Sequence, residues 1–142
     1  LTYELRTRSR LRAVTEAGLE VGLFLPRGRV LAQGERLQCS DGSVLMISAA
    51  PEKLSRVQCD DALLLARAAY HMGNRHVALE VRTGELRYLC DHVLDAMLRG
   101  FGLEVEEVTA PFNPESGAYH NHSHSVATPA APFLRLAGHD RG

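Results

Sequence analysis

Hydrophobic and polar positions alternate with a period of two along the first 50 residues, and the segments 2–7, 11–14, 20–25, 36–39 and 44–49 are predicted to be strands. Turn chemistry separates them: Ala17-Gly18, the Pro26 to Gly28 stretch, Gly34, and the Asp41-Gly42 dipeptide, which is a strong hairpin signal. No helical period runs through this half. A small all-β sandwich or barrel is the natural closure for such short strands.

From Pro51 onward the period changes. Residues 53–59 read as a strand, and Asp60 or Asp61 caps a helix that runs to His71 with an apolar stripe of Leu64, Leu65 and Ala68. Gly73-Asn74 is predicted to stop that helix in the left-handed conformation. Segments 77–81 and 85–89 form a hairpin about Thr83-Gly84, Asp91 caps a helix over 92–99 stopped by Gly100, and 103–108 is a last strand. In that strand Leu103 and Val105 face the core while Glu104 and Glu106 face water.

The order β-α-β-β-α-β is the ferredoxin-like unit, two helices covering one face of a four-stranded sheet. Beyond Pro111 the segment PFNPESGAYHNHSHSVATPAAP is too rich in Pro, Ser, Asn and small residues to offset the entropy of ordering. The expected class is therefore α+β: an all-β domain over 1–50, a ferredoxin-like domain over 51–110, and a flexible histidine-bearing tail over 111–142.

Composition narrows the function. With 142 residues and 45% hydrophobic content the chain can build a true core. A formal charge of -1 gives no net field that would favour nucleic acid or an anionic membrane, and Arg6, Arg8, Arg10 and Arg12 alternate as the solvated face of a strand would. Cys39, Cys59 and Cys90 form no C-x-x-C motif and cannot all pair, which points to a reducing compartment. No apolar run approaches the roughly 20 residues of a membrane span, and LTYELRTRSR lacks the apolar region of a secretory signal, so a cytoplasmic location is expected. The absence of an initiator methionine is read as trimming.

The seven histidines carry the chemistry. His120, His122 and His124 alternate, so an extended chain presents all three imidazoles to one side, a spacing suited to flexible chelation of a divalent ion such as nickel, copper or zinc. His92 opens the second helix, and His71 lies on the first, from which both are candidates to face one surface. Taken singly, each reads as ordinary surface, and His71 and His76 fit the structural role of a group beside a helix carboxyl end. Cys90, two residues before His92, straddles a strand-to-helix join; no oxyanion site accompanies it, and a nucleophilic role is not supported.

Four motifs in order then bear on identity: Tyr70-His71-Met72-Gly73-Asn74-Arg75-His76, Leu86-Arg87-Tyr88, Asp91-His92-Val93-Leu94-Asp95-Ala96-Met97-Leu98, and Ala110-Pro111-Phe112-Asn113-Pro114-Glu115-Ser116-Gly117-Ala118-Tyr119. Together with Ser9-Arg10-Leu11-Arg12 and Gly22-Leu23-Phe24-Leu25-Pro26-Arg27-Gly28, they resemble the urease accessory nickel metallochaperone family from about residue 5 to residue 119. The resemblance implies a partner-binding amino-terminal β domain, a ferredoxin-like metal domain and a homodimer in which His92 binds nickel at the two-fold interface. It implies delivery of Ni²⁺ to the urease apoprotein maturation complex through the accessory GTPase, without catalysis. Which of His120, His122 and His124 completes the coordination is not carried over, and Cys90 has no role assigned by the resemblance.

Rival classes remain open to comparison. A zinc hydrolase needs about three fixed ligands, an open water position and a general base, and only His92 is placed. A ferredoxin-like RNA-binding module would carry exposed sheet aromatics and a basic face, whereas the sheet offers chiefly Tyr88 and Phe112. A storage or buffering protein for Ni, Zn or Cu shares the ligands and lacks only the delivery partner. Nitrogen ligands do not by themselves separate nickel from zinc or copper.

Overall fold

A computed structural model describes residues 1–116 and the two-residue strand β9, Arg135–Leu136. These residues form two compact units, one of residues 1–49 with β9 and one that begins at Ala50.

In the first unit a short helix α1 (Tyr3–Arg6) precedes strands β1 (Arg10–Val14), β2 (Glu20–Phe24), β3 (Arg36–Gln38) and β4 (Val44–Met46). β1, β2 and β9 form one antiparallel sheet and β3-β4 a hairpin. The hairpin turns at Asp41-Gly42, where Gly42 takes φ 87° and the Asp41 carboxylate accepts from Ser43 N at 2.9 Å. Val21, Leu23, Leu25, Leu31, Leu37 and Ile47 make the core.

The strand expected over 2–7 is instead α1. Thr2 is its N-cap, accepting from Leu5 N at 3.4 Å, and Arg6 N donates to Thr2 O at 3.0 Å. Over so short a span a period of two and one helical turn place similar residues inside, so pattern alone could not decide. Arg6 is corrected with it: the side chain is 1% exposed, donates from Nη1 to Leu31 O at 3.2 Å, and lies 5.7 Å from the Tyr3 ring centre. Arg8, Arg10 and Arg12 are exposed, as the alternation requires.

The second unit comprises β5 (Pro51–Gln58), α2 (Ala62–Asn74), β6 (Glu80–Arg82), β7 (Glu85–Leu89), α3 (His92–Gly100) and β8 (Val105–Pro111). The sheet order is β6-β7-β5-β8 with every neighbouring pair antiparallel, the ferredoxin-like topology. Leu65, Ala68 and Met72 from α2 and Leu98 from α3 pack on Val57, Leu86 and Tyr88 of the sheet. The other sheet face carries ion pairs, Arg56 with Glu106 and Arg82 with Glu80. None of the described helices is long and apolar enough to cross a membrane.

The helices run to Asn74 and Gly100, and the left-handed residue that closes each lies two positions beyond that end rather than at the predicted stop. Gly73 lies inside α2, and the left-handed residue is His76 at φ 56°, with His76 N donating to Gly73 O and Val77 N to Met72 O. This is a Schellman closure, repeated after α3 with Gly102 at φ 88° and Leu103 N donating to Leu98 O. Val77 is consumed by the first closure, so β6 begins at Glu80 rather than at Val77.

The chain after Pro111 does not leave the core at once. Phe112 is fully buried, Asn113 N donates to Glu80 Oε2 at 3.1 Å, and Glu115 N donates to Leu79 O at 2.8 Å. Because β8 and β6 are opposite edges of the sheet, residues 112–115 form a strap that carries the chain across it. Composition hid this, since the strap is held by the single buried ring of Phe112, one buried carboxylate and a backbone bond rather than by a repeating apolar pattern.

Candidate metal site

His92 is the first residue of α3, and its position follows from the cap before it. Asp91 is extended at φ -149° and its Oδ1 accepts from Val93 N at 2.9 Å and Leu94 N at 3.2 Å, which spends that carboxylate on the helix start. The His92 side chain is left exposed, next to Val93, which is 55% exposed.

Behind the ring, α3 is fixed to the sheet by packing and by side-chain hydrogen bonds, including one from Arg99 Nη2 to Val105 O of β8 at 3.2 Å. Leu98 is fully buried, and the phenol of Tyr88 donates to Asp95 Oδ1 at 2.6 Å. Burial, reinforced by the Asp95 carboxylate, pushes the Tyr88 phenol above its ordinary range, so it stays a donor. The helix carrying His92 is thus tied one turn beyond that residue. Neither Tyr88 nor Asp95 was singled out as a pair from sequence, because a strand residue and a helix residue seven apart have no periodic relation.

The other candidates separate. His71 is exposed in the last turn of α2, with its ring stacked on Phe101 at 4.9 Å between centres and 25° between planes, and Tyr70 edge-on at 5.5 Å. Phe101 caps the end of α3 opposite His92, about 13 Å away along the axis. His71 and His92 are therefore not drawn onto one ion within a chain. His76 serves the left-handed closure of α2. Cys90 is an exposed free thiol whose backbone N donates to Lys53 O at 3.4 Å, continuing the sheet up to the Asp91 cap.

Among the described residues no three His, Cys, Asp or Glu side chains are grouped as a metal site. His120, His122 and His124 lie outside the described residues. The chain that leads to them is placed: continuing the Glu80↔Arg87 register by one position sets Leu79 beside Tyr88, and Glu115 is bonded to Leu79. The strap therefore ends near the strand that runs into α3.

Comparison with known proteins agrees with the motifs. The family model described as UreE urease accessory protein, C-terminal domain, matches residues 52–140, and that of the N-terminal domain matches residues 1–50. A Urease accessory protein UreE of Teredinibacter turnerae is 57% identical over 120 residues, covering 84% of this chain and 78% of that protein. One from Pseudomonas putida strain W619 is 54% identical over 141 residues, covering 98% and 88%, and one from Azotobacter vinelandii is 54% identical over 128 residues, covering 87% and 77%. With both domain models matched in order and relatives this similar along most of their length, the chain belongs to the UreE urease accessory protein family.

Proposed function

We propose that this protein is a nickel carrier that binds Ni²⁺ through His92 at a homodimer interface and hands it to the urease maturation complex, through the accessory GTPase. One observation carries the reading: His92 stands exposed at a firmly held helix start, and no group of three His, Cys, Asp or Glu side chains forms a complete metal site among the described residues. A lone imidazole is an incomplete site, and a two-fold axis beside it supplies the second imidazole from an identical chain.

The tail histidines are proposed to complete the coordination. From Glu115, His120 is five positions on, so an extended chain reaches roughly 17 Å. Such ligands give an open, exchangeable site, which suits release to a partner that offers competing groups. A zinc hydrolase would demand a fixed three-ligand cage behind hydrogen-bonded supports, and among the described residues no such cage is grouped. The protein is read as a carrier and not as an enzyme, working in the cytoplasm.

Calorimetric titration of nickel into the full-length His92→Ala protein tests the assignment. Loss of the tight phase is expected, whereas unchanged tight binding rejects it. Truncation after Tyr119 is expected to lower affinity or stoichiometry while leaving the melting profile of the folded units in place.

A further inference from the structure

The first unit carries a face that the metal chemistry does not use. On the outer side of β1-β2, cross-strand neighbours are Arg10 with Phe24, Arg12 with Gly22, and Val14 with Glu20. Arg10, Arg12 and Phe24 are exposed, Phe24 at 50%, while Val21 and Leu23 point to the core. At the end of this face a shallow groove of about 600 Å³ is lined by Arg8, Ser9, Arg10, Leu25 and Arg27.

Charge is distributed unevenly between the units. Residues 1–49 hold seven basic and five acidic side chains, whereas residues 50–116 hold seven and eleven. Within the first unit Arg8 is paired with Glu4 and Arg29 with Glu35. Among the described residues, no carboxylate stands within ion-pair distance of Arg10, Arg12 or Arg27. Three guanidiniums without a described carboxylate partner therefore border one exposed phenylalanine.

We propose that the outer face of β1-β2, centred on Arg10, Arg12, Arg27 and Phe24, is the docking surface for an acidic segment of the protein partner that receives the metal. This rests on the delivery reading above and adds the surface and the partner's chemistry. Guanidinium with an aromatic is the composition of binding hot spots, because each offers large area and directional contacts at low entropic cost. A carboxylate-bearing segment matches the guanidiniums by bidentate bonds, and an apolar residue within it meets Phe24. A polyanion such as nucleic acid is matched less well, since Glu20 closes one end of the face and the whole chain carries a net charge of -1.

The test uses the full-length protein against an immobilised complex of urease apoprotein with its accessory GTPase, followed by biolayer interferometry at low and high salt. The Arg10→Glu/Arg12→Glu variant is expected to lose about tenfold or more in association rate at low salt, with the deficit shrinking as salt rises. Arg10→Lys/Arg12→Lys should recover part of that rate, and Phe24→Ala should speed dissociation instead. Nickel titration and thermal melting of all three should match the parent, because these side chains are exposed and remote in sequence from His92. Parent-like association by the Glu variant overturns the docking face while leaving delivery intact. Failure of the unmodified protein to bind the complex overturns both. Preferential capture of DNA or phosphatidylserine vesicles through the same arginines also overturns it.

Discussion

Replacing Tyr88 with Phe removes a single oxygen and keeps the ring that fills the core, which isolates one bond between α3 and the sheet. The phenol donates to Asp95 Oδ1 at 2.6 Å from a fully buried ring. A hydrogen bond to a charged acceptor contributes about 1.5–3 kcal/mol net. Asp95 is only half-buried and regains water when the phenol is lost, so the lower part of that range applies, roughly 1.5–2 kcal/mol. For a unit of this size each kcal/mol moves the melting midpoint by about 4–8 °C.

Alkaline pH gives the same contact a second signature. The folded phenol is held above its ordinary value of 10.0, first by burial and then by Asp95, while the unfolded phenol ionises at the ordinary value. A group raised on folding stabilises fully below its unfolded value and loses that contribution as pH rises toward the folded one. Parent stability should therefore fall above about pH 10, and the fall should be shallower in Tyr88→Phe. Urea melts followed by circular dichroism at pH 7 and at about pH 11 measure both effects. A Tyr88→Phe protein within about 0.5 kcal/mol of the parent at pH 7, the ordinary scatter of a surface change, with an unchanged alkaline slope, would refute the reasoning.

Other perturbations probe the same scaffold. Glu80→Ala removes the buried acceptor of Asn113 N and should cost about 1–3 kcal/mol and expose residues 112–115 to rapid hydrogen exchange; protection equal to the parent would show that the strap is held otherwise. Met72→Ala, at a fully buried position between α2 and the sheet, should cost about 2–5 kcal/mol in denaturant melts. Burial alone would raise Glu85, but its hydrogen bond to Arg87 and the nearby guanidinium charge outweigh that and hold the carboxyl below the ordinary 4.5. Its contribution is therefore present above that value and lost as pH falls through the lower folded one, and Arg87→Met should reduce acid sensitivity below about pH 4.5. His76→Gly relieves a left-handed residue and should be neutral or stabilising by under about 1 kcal/mol, with nickel binding unchanged; a loss of nickel affinity would give His76 a ligand role.

The sequence displayed the second unit well because its helices are long enough for the apolar period to differ from that of the strands. Leu64, Leu65 and Ala68 on α2 and the Asp91 cap on α3 are local signals, and the split β-α-β-β-α-β order followed from them. Four-residue α1 was misread, since one turn of helix cannot be told from alternation, and Arg6 was misplaced on the solvent side as a result. Gly73-Asn74 and Gly100 are the helix stops that the sequence offers, whereas hydrogen bonding places the left-handed residues further on, at His76 and Gly102. The strap and the Tyr88–Asp95 bond are tertiary, and no local pattern encodes either. At the proposed site, His92 is singled out by its motif more than by its chemistry. An exposed histidine at a helix start carries no distinguishing pattern of its own, and the residues proposed to complete its coordination come from another chain and from the tail.

The central claim is that one nickel ion is shared by the His92 imidazoles of two chains. Replacing His120, His122 and His124 together with Ala leaves His92 as the proposed ligand, and nickel titration combined with X-ray absorption at the nickel edge then counts metal per chain and imidazoles per metal. The account predicts one tightly bound nickel for every two chains with two imidazoles in its coordination shell, both lost in His92→Ala. One nickel per chain, or a shell with a single imidazole in a protein that remains dimeric, would contradict it.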